Sequence, residues 1–232
     1  MNHPQELVAT CSGWCSSLHR KRTRFLGRLL VVAWMAFGIS ASAQTLLHYW
    51  NFNNTANLLG PTVTPSGTPA TLTVQVSGTA AAASDTGQGF AAANAQNGDA
   101  ALTHLRINNP TNTTGSATLF LKAPTTGYRN VVLKYETRRS TQGAAIQQID
   151  YTTDGTTYTA FQTLTVADAN PVVTTLDFSS LVAVENNANF GIRIKFVQSA
   201  AQIAAVPPGG LTGNNRFDNI TVSGTLIPVV VE

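Results

Sequence analysis

From Leu46 onward the chain alternates apolar and polar residues in short runs. In Phe190-Gly191-Ile192-Arg193-Ile194-Lys195-Phe196, the set Phe190, Ile192, Ile194 and Phe196 faces one way and Arg193 and Lys195 the other. That period of two is the pattern of a half-buried β-strand. Leu119 and Leu121 repeat it, as do Val131, Leu133 and Tyr135. Runs of β-branched residues between Gly, Pro, Asn and Asp clusters predict strands over Leu46–Asn53, Thr71–Ser77, Leu102–Ile107, Ala117–Lys122 and Val131–Arg138. Five more are predicted over Ile146–Thr153, Tyr158–Thr165, Val172–Phe178, Phe190–Val197 and Phe217–Leu226. Asp154-Gly155, between two Thr/Tyr-rich arms, predicts a hairpin closed by a tight reverse turn. Further turns are expected at Pro124-Thr125-Thr126-Gly127 and Val206-Pro207-Pro208-Gly209-Gly210. The Ala-rich stretch Thr79–Asn97 reads as a surface loop with room for one helical turn. About ten strands without an internal linker imply one all-β domain, a single antiparallel β-sandwich.

The first 43 residues follow a different pattern. Arg20, Lys21, Arg22, Arg24 and Arg28 precede the apolar run Leu29–Ile39, and Ala41-Ser42-Ala43 follows it. A basic n-region, a short apolar core and a small-x-small site predict a helical signal peptide over residues 1–43, cleaved before Gln44. The core is too short for a comfortable membrane span, and an uncleaved N-terminal anchor is the alternative. The sandwich is then expected over residues 44–226, with 227–232 as a C-terminal tail.

Separating the leader changes the charge arithmetic. The whole chain has 14 Lys+Arg, 11 Asp+Glu and 2 Cys, a net charge of +3. The leader holds five of the basic residues, one acid, and both Cys11 and Cys15, so residues 44–232 carry nine basic and ten acidic groups and no thiol. The positive excess that would suggest a nucleic-acid partner therefore belongs to the leader. A cysteine-free exported domain of this size must be held by its core, which favours a bacterial secreted protein.

Candidate chemistry is sparse. His48 and His104 are the histidines of the mature chain, and both fall in predicted strands. No G-x-S-x-G, H-E-x-x-H or phosphate-cradling glycine motif is present, and no acid pair stands out for glycoside hydrolysis. Asp218 lies inside an apolar strand and needs a partner. Alternation puts Phe217 and Asn219 on one face and Asp218 and Ile220 on the other. A salt bridge to Arg138, Arg139 or Arg216, a turn or edge cap, and a structural calcium site remain open for it. Arg138-Arg139 reads as a cationic ligand pair or as one arginine pinned to an acid such as Asp150 with the other in solvent. Trp50, Tyr128, Tyr151 and Tyr158 offer aromatic faces for sugar stacking, or else pack in the core. Asn53-Asn54-Thr55, Asn112-Thr113-Thr114 and Asn219-Ile220-Thr221 match the N-glycosylation pattern, which matters only in a eukaryotic secretory route.

Four segments carry a resemblance: Tyr49-Trp50-Asn51-Phe52, Glu136-Thr137-Arg138-Arg139-Ser140, Tyr151-Thr152-Thr153-Asp154-Gly155 and Arg216-Phe217-Asp218-Asn219-Ile220-Thr221-Val222-Ser223-Gly224-Thr225. With them the chain resembles exported bacterial β-sandwich domains of surface and secreted proteins, of the Bacteroidota type. Those domains look like jelly-roll and galactose-binding-like sandwiches. The resemblance implies a jelly-roll fold with no assigned reaction, and calcium shared between the first and last strands, here by Asp218 and Asn53. The expected function is a noncatalytic secreted or cell-surface module, structural, adhesive or carbohydrate-binding, whose partner is an extracellular glycan or a cell-surface component. Trp50, Tyr128, Arg138 and Arg139 are its candidate ligand residues. A secreted hydrolase, or the accessory domain of one, is the alternative. Neither a nucleic-acid partner nor a membrane span after cleavage is expected. No sorting segment is visible before Glu232, so attachment to the cell stays open.

Overall fold

The computed structural model describes residues 43–65, 69–87, 90–112, 115–207 and 210–229. The leader over residues 1–42, Thr113-Thr114, Pro208-Gly209 and the end of the tail lie outside the described residues. Among the described residues no helix is long and apolar enough to cross a membrane.

Each predicted strand is present. In chain order the strands are β1 (Thr45–Trp50), β2 (Thr71–Gln75), β3 (Ala81–Thr86), β4 (Thr103–Asn108), β5 (Thr111–Asn112), β6 (Gly115–Ser116) and β7 (Thr118–Lys122). They continue as β8 (Tyr128–Arg139), β9 (Ile146–Thr152), β10 (Thr159–Thr165), β11 (Val172–Asp177), β12 (Gly191–Val197) and β13 (Asn214–Leu226). One six-stranded antiparallel sheet runs β11-β8-β13-β4-β3, with β1 also paired to β13; a five-stranded sheet runs β10-β9-β12-β7-β2. The two form a sandwich.

The inner faces supply the core. Leu119, Leu121, Ile149, Ile192, Ile194 and Phe196 of the five-stranded sheet bury against Leu105, Val131, Leu133, Tyr135, Phe217 and Val222 of the six-stranded one. Phe217 sits with its ring centroid 5.6 Å from Tyr135 and 5.9 Å from Phe196, so one residue of β13 ties both layers together. Each such side chain contributes about 1.5–3 kcal/mol on burial. A second aromatic cluster, Phe161 stacked on Phe178 at 4.2 Å and Phe178 edge-on to Phe190 at 5.3 Å, closes one side of the core.

Strand β13 changes partner along its length. Asn214–Phe217 pair with β4, whereas Ile220–Gly224 pair with β1. The handover occurs at Asp218-Asn219, where the pairing with β8 also shifts register and Asn219 adopts φ 47°. A left-handed residue inside a strand is a bulge, and asparagine tolerates that conformation better than other non-glycine residues. The bulge breaks the alternation expected from sequence: Phe217 and Ile220 both enter the core, and Asp218 lies on the outer face opposite Glu136.

Three further expectations are corrected. Ala81–Thr86, placed in a loop with room for a helical turn, is the edge strand β3; its Ala and Ser residues give no apolar alternation. A six-residue helix, α1 (Ala200–Ala205), was not expected. It is nucleated by a capping box in which Ser199 and Gln202 satisfy each other's backbone N–H groups, and it is too short to show helical periodicity. The β9–β10 hairpin forms, but its loop runs from Thr153 to Tyr158. Only Gly155 takes a positive φ there, of 81°. Asp154 folds its carboxylate over the N–H groups of Thr156 and Thr157, both at 2.7 Å.

Candidate functional site

The outer face of the five-stranded sheet follows from the same alternation that buries Ile192, Ile194 and Phe196. It turns Gly191, Arg193 and Lys195 of β12 outward. Cross-strand register places Arg193 between Phe120 of β7 and Asp150 of β9, with Thr73 of β2 beyond Phe120 and Ala160 of β10 beyond Asp150. The next row aligns Gln75, Thr118, Lys195, Gln148 and Thr163. One face thus carries an aromatic, a cation pair, an acid, amides and hydroxyls.

Two features organise it. Asp150 Oδ2 accepts from Arg193 Nε at 2.8 Å and Nη2 at 2.6 Å, and lies 3.1 Å from Lys195 Nζ. A single carboxylate oxygen therefore holds both cations. The guanidinium also stacks on Tyr158, its carbon 4.3 Å from the ring centroid, and Tyr158 meets Phe120 edge-on at 5.9 Å. Burial raises the Tyr158 phenol above its usual pKa, keeping it a neutral hydroxyl donor. Beside this aromatic pair lies a depression of about 210 Å³ over Thr71, Thr73, Lys122 and Gly191. Gly191 lines it, and a Cβ there would be crowded, standing 3.0 Å from the Leu121 carbonyl oxygen and 3.3 Å from Thr152 Cγ2. On the other side of the Arg193–Asp150 pair, a second depression of about 290 Å³ is lined by Gln148, Thr163 and Lys195.

The residues named from sequence lie elsewhere. Trp50 is completely buried in the core and donates its indole N–H to the Leu59 carbonyl at 3.2 Å, so it presents no face to a ligand. Tyr128 is half-buried at the start of β8, in the other sheet. Arg139 donates to the carbonyls of Val166, Ser140 and Thr141 and approaches Asp168 at 3.5 Å, and Arg138 Nη2 donates to the Asp168 carbonyl. Neither arginine meets Asp150, which is held by Arg193 and Lys195; both arginines fasten the segment after β10. Tyr151 packs inward on Phe161 and Phe178. Among the aromatic candidates, Tyr158 is the one that reaches an open face together with polar groups. Phe120 had no distinguishing signal in sequence, because its importance comes from neighbours in β12 and the β9–β10 loop.

Asp218 is buried without a basic partner among the described residues. Arg216, one of its expected partners, points to Asp85 instead, at 3.4 Å. Burial and the Glu136 charge push the Asp218 carboxyl up to about 8, against the lowering effect of the Asn219 N–H that it accepts at 2.8 Å. Glu136 is also buried; it accepts from the Asn94 N–H at 2.7 Å and Asn219 Nδ2 at 3.0 Å. The loop carrying Asn94 bonds Glu136 and the carbonyl of Asn219, the residue after Asp218. Two buried carboxyls at opposed positions of neighbouring strands are relieved by a proton on one of them or by a cation, and two carboxylates in an oxygen-rich setting suit calcium. Asn53 does not fit that set: its amide bridges Ala100 and Thr103, and no hydrogen bond joins it to Asp218. Among the described residues no three His, Cys, Asp or Glu side chains cluster for a metal.

His48 and His104 are both buried. His48 bonds the Pro124 carbonyl at 2.8 Å and Thr64 at 3.0 Å, and burial lowers its pKa. His104 packs against Phe90, the rings tilted and 4.7 Å apart, with Asp85 3.7 Å away, and burial takes its pKa down to about 4. A larger concavity of about 620 Å³ near the end of β1 is lined by Asn51, Asn53, Asn54 and Asn57. Three of its amides are engaged by the protein: Asn51 with Asn53, Thr62 and Asp99, Asn53 with Ala100 and Thr103, and Asn54 with the Ala56 N–H.

No known protein family matches the chain, and no curated protein does. Among solved structures it is similar to the xylan-binding domain of Xyn10C from Paenibacillus barcinonensis, at 10% identity and a TM-score of 0.48, covering 82% of this chain and 100% of that one. It is also similar to a family 11 carbohydrate-binding module from Clostridium thermocellum, at 11% identity and 0.43, covering 82% and 100%. The K2 cleaved adhesin domain of Lys-gingipain matches at 10% and 0.43, covering 78% and 97%. These are likenesses of sandwich outline, and the site is read from this chain's own residues.

Proposed function

We propose that the chain is an exported, noncatalytic β-sandwich module that binds a glycan across the outer face of the β10-β9-β12-β7-β2 sheet. The observation that carries this reading is the Phe120–Tyr158 pair beside the depression over Gly191, within reach of Thr71, Thr73 and Lys122. Sugars have apolar C–H faces that pack on aromatic rings and hydroxyl rims that bond amides, hydroxyls and charges. A face with an aromatic platform inside a polar rim fits both. The hydrolase reading has less support: among the described residues, the acid pair Glu136 and Asp218 is buried, and the Asn94 loop bonds Glu136 and the adjacent Asn219 carbonyl. The proposal includes a structural calcium ion at that pair, bound by Asp218 and Glu136 and not by Asn53.

A glycan array followed by calorimetry on the purified protein tests the function. Binding without release of reducing sugar is expected. Tyr158→Ala should weaken it roughly tenfold, since an aromatic contact is worth about 0.5–1.5 kcal/mol beyond its area burial. Turnover of any bound glycan, or full affinity in the Tyr158→Ala protein, would overturn the proposal.

A further inference from the structure

We infer that the glycan this face selects is anionic, carrying the carboxylates of uronic acid residues; the inference rests on the glycan-binding reading of the same face. It starts from a charge imbalance. Residues 44–232 have one more acid than base, yet the outer face of the five-stranded sheet carries Lys122, Arg193 and Lys195 against Asp150 and, at its edge, Asp154. The two acids are already committed. Asp154 Oδ1 accepts from Thr152 Oγ1 and the N–H groups of Thr156 and Thr157. Asp150 Oδ2 takes donors from both Arg193 and Lys195.

The cations are not equally spent. Arg193 uses its Nε–Nη2 edge on Asp150, and among the described residues no protein acceptor meets Nη1. The remaining edge of a planar guanidinium is a two-donor fork, which matches a planar carboxylate in two parallel hydrogen bonds. Tyr158 stacks under the guanidinium and holds its plane while Asp150 holds its edge, so the fork is presented in a fixed direction with little entropy left to lose. Lys122 lines the depression beside Gly191, and Lys195 the one on the far side of the Arg193–Asp150 pair. A sugar chain lying across both depressions passes one cation in each and the arginine fork between them. A neutral glycan offers these cations only hydroxyl acceptors, whereas uronate groups offer them opposite charge and a paired acceptor as well.

Calorimetry on the purified protein with oligogalacturonates, the same oligosaccharides after reduction of their carboxyls to alcohols, neutral xylan oligosaccharides and a sulfated glycan provides the test. The uronate form should bind about tenfold or more tightly than its carboxyl-reduced twin. Its affinity should fall as salt rises from roughly 0.02 to 0.5 M. Lys122→Ala should weaken uronate binding roughly threefold more than it weakens binding of the neutral ligands. Arg193→Lys keeps the charge but removes the fork, and should lose roughly threefold or more for uronate beyond any loss for the neutral ligands. Equal binding of uronate and reduced forms, or binding of neutral xylan alone, overturns the inference while leaving the glycan site standing. A sulfated glycan bound in preference to uronate overturns the ligand class. Absence of binding to every glycan removes the site and the inference together.

Discussion

Replacing Asp150 with asparagine tests the electrostatic organisation of the outer face most directly. The substitution keeps the shape and removes the charge that gathers Arg193 and Lys195 onto one oxygen. The Asp150 side chain is 6% exposed, against 28% for Arg193 and 37% for Lys195, so the pairs lie between the buried and surface extremes. Exposed pairs are worth about 0.2–1 kcal/mol, and removing one partner of a fully buried pair costs about 3–5 kcal/mol. Two half-exposed pairs on one acid place the lost attraction near 1 kcal/mol each. The repulsion between the two cations is present before and after the substitution and cancels in the difference. The expected destabilisation is about 2 kcal/mol. Urea unfolding followed by the fluorescence of buried Trp50 should report it as a lower midpoint with an unchanged slope. Raising salt to about 0.5 M, where screening acts over about 4–5 Å, should remove a large part of the difference. A loss below about 0.5 kcal/mol, or one indifferent to salt, would refute the view that Asp150 organises the face.

Two further outcomes concern the six-stranded sheet. His104 is held near pKa 4 in the fold against 6.5 when unfolded, so the unfolded chain binds a proton that the native chain refuses between those values. Its contribution is fully present above pH 6.5 and is lost as pH falls toward 4, by up to about 3 kcal/mol. Urea midpoints at pH 7.5 and 4.5 should differ less for His104→Gln than for the unaltered protein; parallel pH profiles would show that another group sets the acid limit. At the acid pair, calcium in hundredfold excess over its Kd should stabilise the protein by about 2.7 kcal/mol and raise its Tm, with EDTA reversing the effect. Glu136→Gln and Asp218→Asn should abolish that response. A Tm indifferent to calcium would leave Asp218 protonated and the pair without a metal.

How much of this was readable in advance depends on the distance over which each feature is encoded. The strand β12 was legible because its alternation is local: Ile192, Ile194 and Phe196 declare one face, and Arg193 and Lys195 the other. Asp154-Gly155 marked the hairpin for the same reason, although the carboxylate of Asp154 reaching Thr156 and Thr157 lengthened the loop beyond a two-residue turn. Strand β3 was missed because an edge strand of Ala, Ser, Asp and Thr buries too little to show a period. The Asp218-Asn219 bulge was missed because strict alternation was carried through it; the signal was the asparagine itself, one of the few residues that enters a left-handed conformation cheaply.

The site was the least legible feature, and for a topological reason. Phe120, Tyr158, Arg193 and Asp150 come from four separate segments, brought side by side by the order β10-β9-β12-β7-β2. Apart from the local β9–β10 hairpin, that order depends on pairings across some 40–70 residues of sequence. Tyr158 could be nominated as an exposed aromatic, and Arg193 as an outward cation, but nothing local says that one stacks on the other. Trp50 and Tyr128 were nominated on residue type alone. Burial removed the first, and its place in the opposite sheet set the second apart from the face. In a sandwich, then, each strand's sequence says which residues face outward, while the pairing order decides which of them become neighbours. A binding face is a property of that order.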